Sequence, residues 1–135
     1  MILDIGLSLT KCGFAKDSIP KHVIPTPLSV VKRMRNSISS VNTASFAELF
    51  ADTRTLNLEI EELLAQIFYH LLQTNPYEKA IVVVETFMGL RPLYEAIGHI
   101  CFKKFGCRDV YFVLGNSMPL YVSGLDSGII VDIGY

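Results

Sequence analysis

Charge of either sign is scarce in this sequence, and a surplus of basic charge is absent. Of 135 residues only 19% are charged, 12 Lys+Arg against 13 Asp+Glu, for a formal net charge of -1. That balance leaves nothing to neutralise a run of phosphates, so no nucleic-acid partner is expected. Cysteine is limited to Cys12, Cys101 and Cys107. The number is odd and no pair has zinc-ligand spacing, so these read as inert thiols in a reducing compartment. Long apolar runs are missing too. None approaches the roughly 18 residues of a membrane span, and no membrane insertion is expected. Asp4 interrupts the apolar start and Lys11 follows, which is unlike a secretory leader. The expected location is the cytoplasm.

What the chain does have is apolar content. Half of it is hydrophobic and the mean hydropathy is +0.39. With so little charge beside it, that content excludes intrinsic disorder. The length fits one domain, large enough to bury a real core. Hydrophobicity this high points either to a very buried sheet or to a piece of something larger.

Short apolar runs broken at Gly6 predict a strand over Ile2–Ile5, a tight turn and a second strand through Lys11 to Gly13. A third is expected at His22–Ile24, between Pro20 and Pro25. Residues 26–57 are less regular. Lys32–Arg35 is a small basic cluster on a solvated loop, residues 36–45 are rich in Ser, Asn and Thr, and Ser45–Phe50 could form a short helix. Ile60, Leu63, Leu64, Ile67, Phe68 and Leu71 then recur at helical spacing. Asn57 is the expected N-cap, Glu59, Glu61 and Glu62 the acidic first turn, and Asn75-Pro76 the stop. Ala80–Glu85 and Val110–Leu114 are apolar runs without alternation, the pattern of strands buried on both faces. Between them a helix is expected from Pro92 to just before Gly106, with Lys103 and Lys104 at its end. A short helix near Met118–Val122, with Pro119 in its first turn, and a last strand over Gly128–Gly134 complete the chain. The order β-β-β-α-β-α-β-α-β predicts an α/β fold with a sheet covered on both faces. It is the outline of one ribonuclease-H-like half.

Two segments share one pattern: Leu3-Asp4-Ile5-Gly6 and Val131-Asp132-Ile133-Gly134. Aspartates at two strand ends can face each other and hold a hydrated divalent cation. Mg²⁺ keeps most of its waters and needs only one or two carboxylates beside phosphate oxygens. The glycine lets the following N–H groups turn toward phosphates. The same two aspartates could also be turn or cap residues without a ligand, and Lys11 a solvated strand-end lysine. His22, His70 and His99 are scattered and are assigned no role.

Asp4-Ile5-Gly6-Leu7-Ser8-Leu9-Thr10-Lys11-Cys12-Gly13-Phe14-Ala15 resembles the first phosphate loop of the actin family. Pro20–Pro25 resembles the segment that follows it. Leu120, Tyr121, Ser123, Gly124, Gly128, Ile129, Asp132 and Gly134 match the stretch leading to the second phosphate loop. The resemblance implies an actin-like ATPase half, truncated. Residues 1–127 would be the first lobe, with a shortened second subdomain over about 26–57, and residues 128–135 the first strand of an absent second lobe. It implies Asp4, Gly6, Leu7, Ser8, Lys11, Asp132 and Gly134 as nucleotide contacts, and Asp4 and Asp132 as water-mediated metal contacts. ATP or ADP with Mg²⁺ is implied for a full-length protein, and weak or no binding for this chain alone.

The departures carry as much weight. Gly115 stands at the position of the glutamine that orients the attacking water in actins, and neither Leu114 nor Asn116 replaces it. Ser8 replaces a loop glycine, and Tyr135 replaces an aspartate after the second loop. Together with Thr10–Ala15 and the short second subdomain, these features resemble a divergent branch of the family, that of the dynactin pointed-end complex. That resemblance implies a non-catalytic cap on a short actin-like filament. Its partners would be actin-like filament subunits and other dynactin pointed-end subunits, in cytoskeletal, dynein-driven transport. The competing expectation is a nucleotide-binding or ATP-hydrolysing member of the wider actin, heat-shock and sugar-kinase fold. Glu85 would then orient the nucleophile from a strand end.

Overall fold

A computed structural model describes residues 1–27, 30–31, 53–85 and 91–131. The sheet has five strands: β1 (Ile2–Ile5), β2 (Leu9–Gly13), β3 (His22–Pro25), β4 (Ala80–Glu85) and β5 (Asp109–Leu114). Their order is β3-β2-β1-β4-β5. β1, β2 and β3 form an antiparallel meander, whereas β4 runs parallel to both β1 and β5. The helices whose bounds lie among the described residues are α1 (Thr53–Ala65), α2 (Arg91–Lys103) and a short α3 (Met118–Ser123). This mixed sheet, antiparallel at one end and joined by helical crossovers at the other, has the strand and helix order expected of a ribonuclease-H-like half.

The core lies on one face of the sheet. Strand pleating sends alternate side chains to opposite sides. Leu3 and Ile5 of β1, Cys12 of β2, and Ile81 and Val83 of β4 point to the same side and are buried. Ile60, Leu63, Leu64, Ile67 and Phe68 come down on them from α1, and Leu93, Ile97, Ile100 and Cys101 from α2. Each large side chain in this layer contributes on the order of 1.5–3 kcal/mol by leaving water. Phe68 and Phe105 meet edge to face, with centroids 5.1 Å apart.

The opposite face is not covered by any described helix. Ile2, Val82 and Val84 are half-buried there, and Val23 and Tyr111 are exposed. The expectation of two-sided burial for β4 and β5 therefore fails. Burial along β4 alternates, and β5 carries exposed Tyr111, Phe112 and Leu114. An unbroken apolar run fixes a strand but not the number of layers over it. Both described crossover helices pack on one side.

Two boundaries also differ. α1 starts before Asn57, which lies inside it, so Glu59, Glu61 and Glu62 are mid-helical and not a first turn. The reason is Leu56, only 2% exposed, which extends the apolar stripe upstream. At its other end α1 widens into a π-turn over Gln66–Leu71, where the Leu72 N–H reaches the Ile67 carbonyl at 2.8 Å. Left-handed Gln73 (φ 47°) and a Thr74 N–H bond to the Phe68 carbonyl then end the helix ahead of Asn75-Pro76.

α3 has Pro119 in its first turn as expected, and left-handed Gly124 closes it. Residues 128–131 join no strand, and Ile129 and Val131 are 94% and 76% exposed. The expected last strand is thus unformed over its described part. Among the described residues no helix is long and apolar enough to cross a membrane. The basic cluster Lys32–Arg35, the Ser45–Phe50 helix and Asp132–Tyr135 lie outside the described residues.

Candidate functional site

The β1–β2 hairpin places the first aspartate. Asp4 sits directly opposite Lys11 in the antiparallel register, on the uncovered face, and the Lys11 ammonium donates to the Asp4 carboxylate at 3.1 Å. The two side chains are 29% and 48% exposed, so water screens the pair. Asp4, Lys11, Phe14, Asp17, Pro20 and Val84 line an open recess of about 250 Å³. Lys21 stands 5.7 Å from the centroid of the Phe14 ring at its rim.

The turn between the strands is closed tightly. The Gly6 N–H donates to the Leu9 carbonyl at 3.1 Å. A Cβ on Gly6 would lie 2.9 Å from that same oxygen, so this glycine is needed for the turn itself. Leu7 packs its side chain against the core, and anything it offers a ligand comes from its backbone. Ser8 is half-buried and its carbonyl accepts the Thr26 N–H at 3.0 Å.

Thr26 was not singled out in the sequence, yet it holds the turn from behind. Its hydroxyl donates to the Gly6 carbonyl at 2.7 Å and lies 2.9 Å from the buried Thr10 hydroxyl. The available signal was Pro25-Thr26-Pro27. Two prolines without N–H groups leave Thr26 as the sole backbone donor of the three.

Of the expected nucleotide contacts, Asp4, Gly6, Leu7, Ser8 and Lys11 are brought together on this hairpin. Asp132 and Gly134 lie outside the described residues. Among the described residues no three His, Cys, Asp or Glu side chains cluster as a metal site. One carboxylate beside an ammonium suits an outer contact to a hydrated Mg²⁺ that phosphates also hold. It does not suit an ion held by protein ligands alone.

Gly115 follows β5 directly. A Cβ built on it would meet the Val84 side chain at 3.0 Å and the Glu85 carbonyl at 3.3 Å. Val84 also lines the recess. Gly115, where the resemblance leads one to expect the actin glutamine, is therefore close to the recess, bears no side chain, and is tightly packed. Glu85 does not replace it. Asp4 is in register with Val84, and the pleat sends Glu85 to the other, helix-bearing face. The sheet thus separates Asp4 from Glu85.

The cysteines stay out of the site. Cys12, Cys101 and Cys107 are free and buried, and burial pushes all three thiols up from the ordinary range. The Cys107 N–H donates to the Cys101 carbonyl at 3.0 Å at the end of α2. Such protonated thiols are poor nucleophiles.

The actin family profile matches residues 1–135, the whole chain. Among curated proteins the chain is similar to actin-related protein 2 of Schizosaccharomyces pombe, at 24% identity over 151 residues. It is also similar to actin-related protein 2 of Drosophila melanogaster, at 21% over 159 residues. Each comparison covers 99% of this chain and 39% of the relative. The chain thus spans about two fifths of the length of these relatives.

Proposed function

The chain belongs to the actin family, and from that premise we propose that it serves a non-catalytic, structural actin-related subunit. The observation that carries the proposal is Gly115. No amide stands where actins orient the attacking water, and Val84 and Glu85 crowd the place where one would grow. Phosphoryl transfer depends on positioning and electrostatic stabilisation, and the residue that orients the attacking water is one of its recurring parts. Without it, bound nucleotide acts as a wedge between lobes and is not turned over.

The finer reading is a cap on the pointed end of a short actin-like filament in dynactin, in the cytoplasm and on the cytoskeleton. The Thr10–Ala15 motif and the short 26–57 stretch support it. In this reading residues 1–127 form the first lobe, and residues 128–135 begin a second. ATP or ADP with Mg²⁺ would be held by the Asp4–Lys11 hairpin and by Asp132 and Gly134 from the second loop. The test is to add the full-length protein to short actin-like filaments with excess Mg·ATP. The expected result is arrested pointed-end growth without phosphate release by the added subunit. Turnover at actin-like rates, or unaffected growth, would contradict the proposal.

A further inference from the structure

We propose that Thr26 is a positioning residue that pre-forms the β1–β2 turn for an anion, with Thr10 as its second hydroxyl. The inference rests on reading this turn as the phosphate loop, and the hydrogen bonds fix its logic. The Gly6 carbonyl can only accept, so the Thr26 hydroxyl gives it its single hydrogen at 2.7 Å. Thr10 must then be the donor in the 2.9 Å contact between the two hydroxyls. The relay runs one way, from Thr10 to Thr26 to the Gly6 carbonyl. In parallel the Thr26 N–H takes the Ser8 carbonyl at 3.0 Å.

Those two carbonyls decide where the amides point. The described chain has no cis peptide bond. In a trans peptide the C=O and the following N–H point in opposite directions. Pulling the Gly6 and Ser8 carbonyls toward Thr26 therefore turns the Leu7 and Leu9 N–H groups away from it. Partial negative charge is drawn to the back of the turn, away from these two donors. That polarity suits a phosphate oxygen and does not require one to form. Pro27 holds Thr26 in the extended region that this geometry needs. Thr10 and Thr26 are both buried, so water does not compete for the relay.

The test compares Thr26→Val, Thr26→Ser and Thr10→Val in the whole chain without nucleotide. Amide exchange at Gly6 is read against Val83 of β4, which reports opening of the core. Thr26→Val should speed exchange at Gly6 about five- to tenfold beyond any change at Val83, the scale of one or two lost hydrogen bonds. Thr26→Ser keeps the hydroxyl and should restore slow exchange. Thr10→Val should give a smaller effect, and the wild type should show a slowly exchanging Thr26 hydroxyl proton. If Gly6 tracks Val83 in Thr26→Val, or if serine fails to rescue, the brace is wrong. The nucleotide reading is tested separately, by the response of the Leu7 and Leu9 amides to Mg·ATP in the full-length protein.

Discussion

Asp4 and Lys11 stand opposite each other across the β1–β2 ladder and close an ion pair of 3.1 Å on the uncovered face of the sheet. The lysine's nearest anion is thus part of the protein. A phosphate arriving at the turn must share Lys11 with Asp4, and a hydrated cation must share Asp4 with Lys11. The pair is self-neutralising, which lets the hairpin exist without either ligand.

Removing the pair should separate folding from binding. Lys11→Met should change stability by about 1 kcal/mol or less, because half-exposed pairs contribute little. The same substitution should weaken Mg·ATP binding by the full-length protein at least tenfold. The 135-residue chain alone should bind ATP weakly or not at all, with or without Lys11. Thermal unfolding and calorimetry check both arms. Micromolar affinity of the isolated chain would contradict the two-lobe reading.

How much of this was legible in the sequence depended on range. The β1–β2 hairpin, the meander and both long helices could be read because glycine, proline and apolar spacing act locally. Three things could not. Thr26 lies sixteen residues from Thr10, and no local rule links them. The face toward which Glu85 points depends on strand register. Whether a second layer covers β4 and β5 depends on where helices land, and a run such as Ala80–Glu85 is compatible with one layer or two.

Gly106 should be among the least replaceable glycines. It ends the turn after α2 at φ 61°, and a Cβ there would sit 2.8 Å from the Tyr77 ring. Strain and clash act together. Gly106→Ala should cost on the order of 1–2 kcal/mol or more. Urea unfolding would show the midpoint falling with an unchanged slope. A neutral result would mean that Tyr77, an exposed residue, swings away and that the backbone strain is small.

Stability should fall on the alkaline side. Burial is the main cause that raises Cys12, Cys101 and Cys107 above the ordinary thiol value. Below the unfolded pKa, about 8.5, folded and unfolded chains are equally protonated and these groups make no difference. As pH rises past that value the unfolded chain loses thiol protons that the folded chain keeps. Folding is then opposed progressively until the folded thiols ionise as well. Under reducing conditions the urea midpoint should be lower at about pH 9.5 than at about pH 7.5. Cys101→Ala should lessen that drop, although it lowers stability at both pH values by leaving a small cavity. A slope unchanged by Cys101→Ala would show that other groups govern the alkaline limb.

The sheet face that no described helix covers makes the last prediction, and it bears on the excess of apolar residues. Val23 and Tyr111 are more than half exposed on this face, with Ile2, Val82 and Val84 between them. Tyr111, Val82 and Ile2 form an apolar strip across β5, β4 and β1, and the Lys11–Asp4 pair separates Val84 from Val23. Exposed apolar surface on both sides of that pair favours association in water. The 135-residue chain alone should therefore sediment as larger species as its concentration rises. Val23→Lys combined with Tyr111→Lys should shift it toward monomer. Neither residue is in the buried core, so each substitution should change stability by roughly 0.5 kcal/mol or less. Charge placed on the helix-bearing side, as in Val83→Lys, should unfold the chain. Sedimentation of the wild type as a monomer at every concentration would show that this face is not sticky, and the high hydropathy would then need another explanation.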